Sequence, residues 1–318
     1  LYNAALPGAQ LHDTIFERTH FEGADLSSAD FTNATLVDSY LYGANLQGTV
    51  LTGADLMGAD LRRTDMSKAT MFQTNLQGAL LDGARLNHAR MMEADLESAY
   101  LDDADLRYAD LRDAILRGAD LRHANLESIR LSQADLEGAN LEGARLIKAS
   151  LHSAKMRMVI LYKAIIDQAD FRDADLHHAV MIGTHGADAI FTKATLHEIY
   201  GPKMSLPRAQ FNEATLDSAN LVAADLNQAN FSHADLTHAN LQEAKLHGAS
   251  FNGADLSGAR LDGADINQAN FSGANLASAT GLTQAQLNTA CFDNQTLLPA
   301  ELSRPAPCAV TKKKASTR

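Results

Sequence analysis

The chain of 318 residues contains no tryptophan, and aromatic residues make up only 6% of it, so no core can be assembled around large flat side chains. An apolar fraction of 46% must instead rest mainly on Ala and Leu in a regular arrangement. The two cysteines, Cys291 and Cys308, both fall in the last tenth of the sequence, which excludes a disulfide framework for the fold. One packed thiol and one tail thiol are expected, with a disulfide or a metal pair as the alternative. Basic residues are the scarcer charge, 27 against 39 acidic, and the formal net charge of -12 disfavours nonspecific nucleic-acid binding. No run of 18 apolar residues occurs, so no membrane span is expected. The N-terminus LYNAALPGAQ lacks the basic-then-apolar pattern of a signal peptide, and a cytoplasmic location is expected. There is no Gly-rich phosphate loop, no CxxC, no nucleophile elbow and no carboxylate pair set in a pocket, so no enzyme activity, cofactor or metal is assigned.

What is present is a period of five. Stepping by five from Leu6 to Leu276, 53 of 55 "centre" positions are Leu, Phe, Met or Ile, and only Gly186 and Gly201 fail. Two residues before each centre, Ala stands at 44 of 55 positions and Ala, Ser or Thr at 51, with Ile129, Val159, Ile199 and Met204 as the exceptions. Asp or Asn commonly precedes the centre, and Gly is frequent two residues after it. A helical template would mistake this text for an Ala-rich helix; the five-residue repeat takes precedence.

The pattern A(D/N)LXX, over residues 4 to 280, resembles the pentapeptide repeat family. The resemblance implies an all-β, right-handed, four-sided parallel β-helix, one pentapeptide per face, with centre and Ala side chains inward. A large and a small residue fill a narrow interior, while Gly and Asn tolerate unusual corner dihedrals. A side chain larger than Ala at the small place should crowd that interior. The number of faces also follows from the sequence: Phe171, Phe191, Phe211, Phe231, Phe251 and Phe271 recur every 20 residues, or four pentapeptides. At about 4.8 Å per coil, roughly fourteen coils make a rod about 65 Å long.

The expected organisation is a β-helix over 1–280, a cap with a short helix over 281–302, and a disordered basic tail over 303–318. The helix should start near Thr283 as N-cap, with Leu282, Leu287, Phe292 and Leu297 covering the last coil. The N-terminus carries no comparable cap and no initiator Met, so the chain is expected to be a mature remainder or a part of a longer bacterial protein. Residues 182–208, rich in Gly, Pro and bulky small-place residues, predict a distorted but continuous coil with a bulge near Tyr200 to Pro207, since the Phe spacing persists across them.

Sorting outward residues by position modulo twenty aligns Ile160, Tyr162, Val180, Ile182, Tyr200, Pro202 and Val222 on one face, where polar residues are the rule. Tyr40, Tyr42, Leu80 and Tyr100 lie earlier on that face. The patch is a candidate surface for a protein partner or self-association, unless residues 198–208 fold over it. A column of His177, His197 and Asp217, flanked by His178 and Glu198, is best read as ordinary surface histidines; a divalent metal is the alternative. Arg107, Arg112, Arg117 and Arg122 form a girdle among Asp103, Asp105, Asp110, Asp113 and Asp120, read as salt-bridge ladders rather than a phosphate site.

The leading functional reading is a noncatalytic protein-interaction scaffold. The alternative, from the resemblance, is a DNA mimic that binds DNA gyrase and confers quinolone tolerance. Residues 1–60 carry 8 acidic and 1 basic residue and residues 209–280 carry 8 and 2, but residues 61–208 carry 21 and 19, which dilutes a duplex-like charge pattern.

Overall fold

Each place in the pentapeptide has its own backbone role, and the hydrogen bonds define it. In the computed structural model, which describes residues 1–305, the residue before each centre forms a single-residue parallel β-bridge with the residue 20 positions on, from Ala5↔Asp25 to Arg260↔Thr280. Four such bridges fall in each 20-residue coil. The bridge residue donates to the small-place carbonyl of the preceding coil, as Asp25 does to Ala4 at 2.8 Å, and the centre residue donates to the next coil, as Leu6 does to Asp25 at 2.8 Å. The corner residue, two after the centre, also donates forward, as Gly8 does to Ser27 at 2.8 Å. The architecture is a parallel β-helix whose coils are joined by backbone bonds on every face.

The N–H one residue after the centre has no backbone acceptor in any coil of residues 1–280. The Asp or Asn before the centre satisfies it: Ser27 N donates to Asp25 Oδ1 at 3.1 Å, Thr32 N to Asp30 Oδ1 at 2.9 Å and Gln47 N to Asn45 Oδ1 at 3.1 Å. This Asx-type bond explains the D/N preference of the repeat. The next residue turns the corner at positive φ, 67° at Gly8 and 56° at Asn33, which accounts for the frequent Gly and Asn there.

The interior is a column of centre and small-place side chains, buried from Phe21 onward. Phe171 to Phe271 stack in register with ring centroids 4.7 to 5.0 Å apart. Phe292 extends the stack at 5.4 Å from Phe271. At the other end Phe16, Phe21 and Phe31 meet edge to face at 5.2 to 6.3 Å. Thr at the small place stays buried by bonding a carbonyl, as Thr49 does to Leu46 and Thr184 to Leu161, both at 2.8 Å.

The distortion expected over 182–208 does not occur. Bridges Val180↔Tyr200, His185↔Ser205 and Tyr200↔Asn220 keep the 20-residue offset, with no bulge near Tyr200 to Pro207. Two physical reasons emerge. Pro202 and Pro207, like Pro7, occupy the one place whose N–H the backbone ladder does not use, so the missing donor costs the coil no ladder bond. At the other irregular places large and small exchange roles: Ile199 and Met204 are buried at small places beside Gly201 at a centre. A Cβ on Gly201 would lie 2.8 Å from Met204 Sδ, and one on Gly186 would lie 2.3 Å from Ile166 Cγ1. The crowding expected from bulky small-place residues is thus relieved at Gly201 by the missing centre side chain.

The short helix forms, with a different set of residues against the last coil. The helix α1, Gln284–Leu287, starts at Thr283 with a capping box closed by Gln286. Leu287 and Phe292 are buried and Leu282 is half-buried, but Leu297 is 54% exposed, and Leu298 packs on the core instead. Leu297 is turned out because it forms the bridge to Asn275, while Thr296 takes the inward small place and bonds the Phe271 carbonyl at 2.9 Å. Cys291 is half-buried, forms the bridge to Asn270 and is not a free thiol. Ser303 and Arg304, assigned above to the tail, belong to the cap: Gln284 bonds Ser303, and Arg304 donates to the carbonyls of Asn294 and Thr296. The rest of the expected tail, including Cys308 and the lysine run, lies outside the described residues.

The exchange predicts a coupled pair. Gly201→Leu should cost about 1–3 kcal/mol in urea unfolding, and adding Met204→Ala should recover most of it. Phe231→Ala should cost about 3–5 kcal/mol by the same measurement, because it opens a cavity inside the stack.

Candidate interaction site

Unbroken register decides what the outer surface looks like, because outward side chains 20 residues apart become neighbours one coil spacing, about 4.8 Å, apart. Ile160, Val180 and Tyr200 are successive members of one bridge ladder, running from Asn140 to Asn220. Tyr162, Ile182, Pro202 and Val222 follow at the place after the centre, their carbonyls accepting from Gly143, Lys163, Gly183 and Lys203 of the preceding coils. The seven residues therefore form two adjacent columns. Tyr200 is 48% exposed and the other six are half-buried against one another and the coil edges. Residues 198–208 do not fold over them, since that stretch is itself part of the wall. Lys163 Nζ lies 4.7 Å from the centre of the Tyr162 ring and borders the patch with a cation. Earlier on the same face Tyr40, Tyr42 and Tyr100 are exposed, separated from the main patch by Asp120 and Asn140.

The histidine column does assemble, but its nitrogens face carboxylates. His197 Nδ1 is 2.5 Å from Asp217 and its Nε2 is 3.3 Å from Glu198, His178 is 3.2 Å from Glu198, and His177 contacts Asp175. The His177 and His197 ring centres are 5.5 Å apart. Among the described residues, the grouping whose ligand atoms all lie within 4.8 Å of one another is Asp102, Asp103 and His123, on a different face and largely exposed.

The arginine girdle pairs mostly within single pentapeptides rather than as ladders. Arg107, Arg112 and Arg122 each bind, with two guanidinium nitrogens, the Asp two residues earlier, at 2.6 to 2.8 Å. Arg117 crosses to Asp135 of the next coil at 2.7 Å. At Arg107, Arg112 and Arg122 the Asp before the centre thus bonds the residue after the centre through both its N–H and its side chain.

Sequence reasoning missed an open groove of about 520 Å³ lined by Phe72, His88, Arg90, Met92, Tyr108 and Arg130, among others. Its signal was available: Phe72, Met92 and Tyr108 are apolar or aromatic residues in outward slots, spread over two columns instead of one.

The family profile for pentapeptide repeats matches the chain in overlapping segments from residue 6 to residue 294, leaving only 162–168 and 200–203 unmatched in between. The chain belongs to the pentapeptide repeat family. As a pentapeptide repeat protein it is a right-handed β-helix solenoid, and the two unmatched stretches include Tyr162, Tyr200 and Pro202 of the apolar columns. Similar solved structures include HetL, a pentapeptide repeat protein involved in heterocyst differentiation regulation in Nostoc sp. strain PCC 7120, with 34% identity, 68% of this chain and 89% of that chain covered, and a TM-score of 0.32. Rfr23 of Cyanothece 51142 is 30% identical over 30% of this chain and 62% of its own, with a TM-score of 0.25. QnrB1, a plasmid-mediated fluoroquinolone resistance protein, is 19% identical over 68% of this chain and 90% of its own, with a TM-score of 0.28. No curated protein matches the chain. Among the described residues no helix is long and apolar enough to cross a membrane.

The paired carboxylates set the acid response. Hydrogen bonds from Arg62, Arg107 and Arg122 hold Asp60, Asp105 and Asp120 below the ordinary aspartate value. Burial pushes Asp110 up, but Arg112 and Arg130 more than offset it and leave it lowered. Groups with a depressed folded pKa contribute stability that is fully present above the unfolded value of about 3.9 and is lost as pH falls through the folded values. Melting temperature is therefore expected to stay level between about pH 5 and 8 and to fall below about pH 4.

Proposed function

We propose that the chain is a noncatalytic protein-interaction scaffold: a four-sided rod of about fourteen coils, closed at the C-terminal side by the α1 cap, that offers its apolar columns to a protein partner or to a second copy. The observation that carries this reading is the alignment of Ile160, Tyr162, Val180, Ile182, Tyr200, Pro202 and Val222 over four successive coils without interruption of the bridge ladder. Elsewhere those places are mostly Asp, Asn, Ser, Gln or charged residues. A contiguous exposed apolar patch rimmed by polar residues commonly marks an interface. The filled interior supports the noncatalytic part, since centre and small-place side chains occupy it throughout.

The surface test uses outward residues, so the rod itself should survive it. Ile160→Asp with Ile182→Asp should lower self-association in sedimentation velocity, or partner capture from the native host, with an unchanged circular dichroism spectrum; unchanged association and capture would remove the patch from the account.

The second reading, a DNA mimic directed at gyrase, is favoured by the acidic ends, 8 acidic against 1 basic residue over 1–60 and 8 against 2 over 209–280. It is weakened by the bidentate Arg–Asp pairs between them, which neutralise the carboxylates a duplex would imitate. Inhibition or protection of gyrase supercoiling at micromolar protein is the outcome that reading requires.

A further inference from the structure

The groove between residues 70 and 130 lies two bridge ladders away from the apolar columns and has the opposite electrostatic character to the chain as a whole. Its floor is one bridge ladder, Thr70, Arg90, Asp110 and Arg130. One wall is the stacked pair His88 and Tyr108, with ring centres 5.0 Å apart and planes within 8°. The other wall is Phe72, Met92 and Arg112, with an Arg112 nitrogen 3.2 Å from Met92 Sδ. Three guanidinium groups line it against a single carboxylate, in a chain whose net charge is -12.

The charges are unequally satisfied. Arg112 binds Asp110 through two nitrogens at 2.8 Å, and Arg130 binds the same carboxylate through one nitrogen at 3.1 Å. Asp110 is therefore shared by two cations. Arg90, its bridge partner in the preceding coil, makes no ion pair or side-chain hydrogen bond among the described residues. The groove thus keeps one whole guanidinium and part of a second available, beside the stacked His88–Tyr108 pair. Guanidinium groups recognise planar or tetrahedral oxyanions through paired N–H donors. Aromatic faces add ring stacking. The open groove of about 520 Å³ has room for a small molecule laid against it.

We propose that this groove binds a small oxyanion carrying an aromatic ring, with the oxyanion on Arg90 and Arg130 and the ring against Tyr108, His88 and Phe72. The site is independent of the apolar columns, so it stands or falls separately from the scaffold reading. The four coils it spans are in regular register, and all the residues invoked point outward, so substitutions there leave the core untouched.

Phenyl phosphate is the simplest probe, with inorganic phosphate and phenol as the single-feature controls, titrated into the full chain and followed by calorimetry and ligand-observed NMR. Saturable binding of phenyl phosphate at about millimolar concentration is expected, at least about fivefold tighter than either control. Arg90→Gln and Tyr108→Ser should each weaken it about fivefold, with Arg90→Lys between wild type and Arg90→Gln, while the melting temperature stays unchanged. Absence of saturable binding, equal affinity for inorganic phosphate, or undiminished binding by Arg90→Gln would overturn the proposal.

Discussion

The structure depends on how little room the coil encloses. One large and one small side chain per face fill the interior, and the backbone bonds that join coils fix the repeat at 20 residues. Once that offset is fixed, every other feature is a matter of register. The Phe stack follows from it, since rings 20 residues apart are brought to 4.7 to 5.0 Å without further adjustment. The surface columns follow from it too, because a side chain that does not fit the polar pattern can only find its like one coil above or below.

The repeat family and the number of residues per coil were legible in the sequence because the inward places are so uniform. Position modulo five sorts inside from outside, and the Phe spacing supplies the modulus of twenty. What misled sequence reading was treating Gly and Pro as breaks in general. Pro202 and Pro207 fall at the one place with no ladder donor, and Gly201 is complemented by Met204, so a stretch that looks irregular in composition is regular in backbone. Both facts depend on which N–H bonds which carbonyl, and a residue count alone does not contain that.

The ends of the argument differ in the same way. Thr283 and Gln286 announce a helix start through local hydrogen bonding, and α1 appears there. Leu297 against Leu298 is a choice of which neighbour faces inward, settled by the bridge to Asn275. The apolar columns were legible because they lie in single columns. The groove was not, because its aromatic and cationic lining is divided between columns on either side of a bridge ladder, and the inequality of its charges rests on Arg112 and Arg130 sharing Asp110.

Continuity through residues 181–210 is therefore the claim on which the surface assignment rests, and hydrogen–deuterium exchange tests it most directly. The amides of Tyr200, Gly201, Ser205 and Leu206, which donate to Ala179, Asn220, Thr184 and Asp225 at 2.8 to 2.9 Å, should be as slow to exchange as those of Leu221 and Leu226 in the next coil. Exchange across 198–208 at the rate of an open loop, beside protected neighbours, would contradict the account.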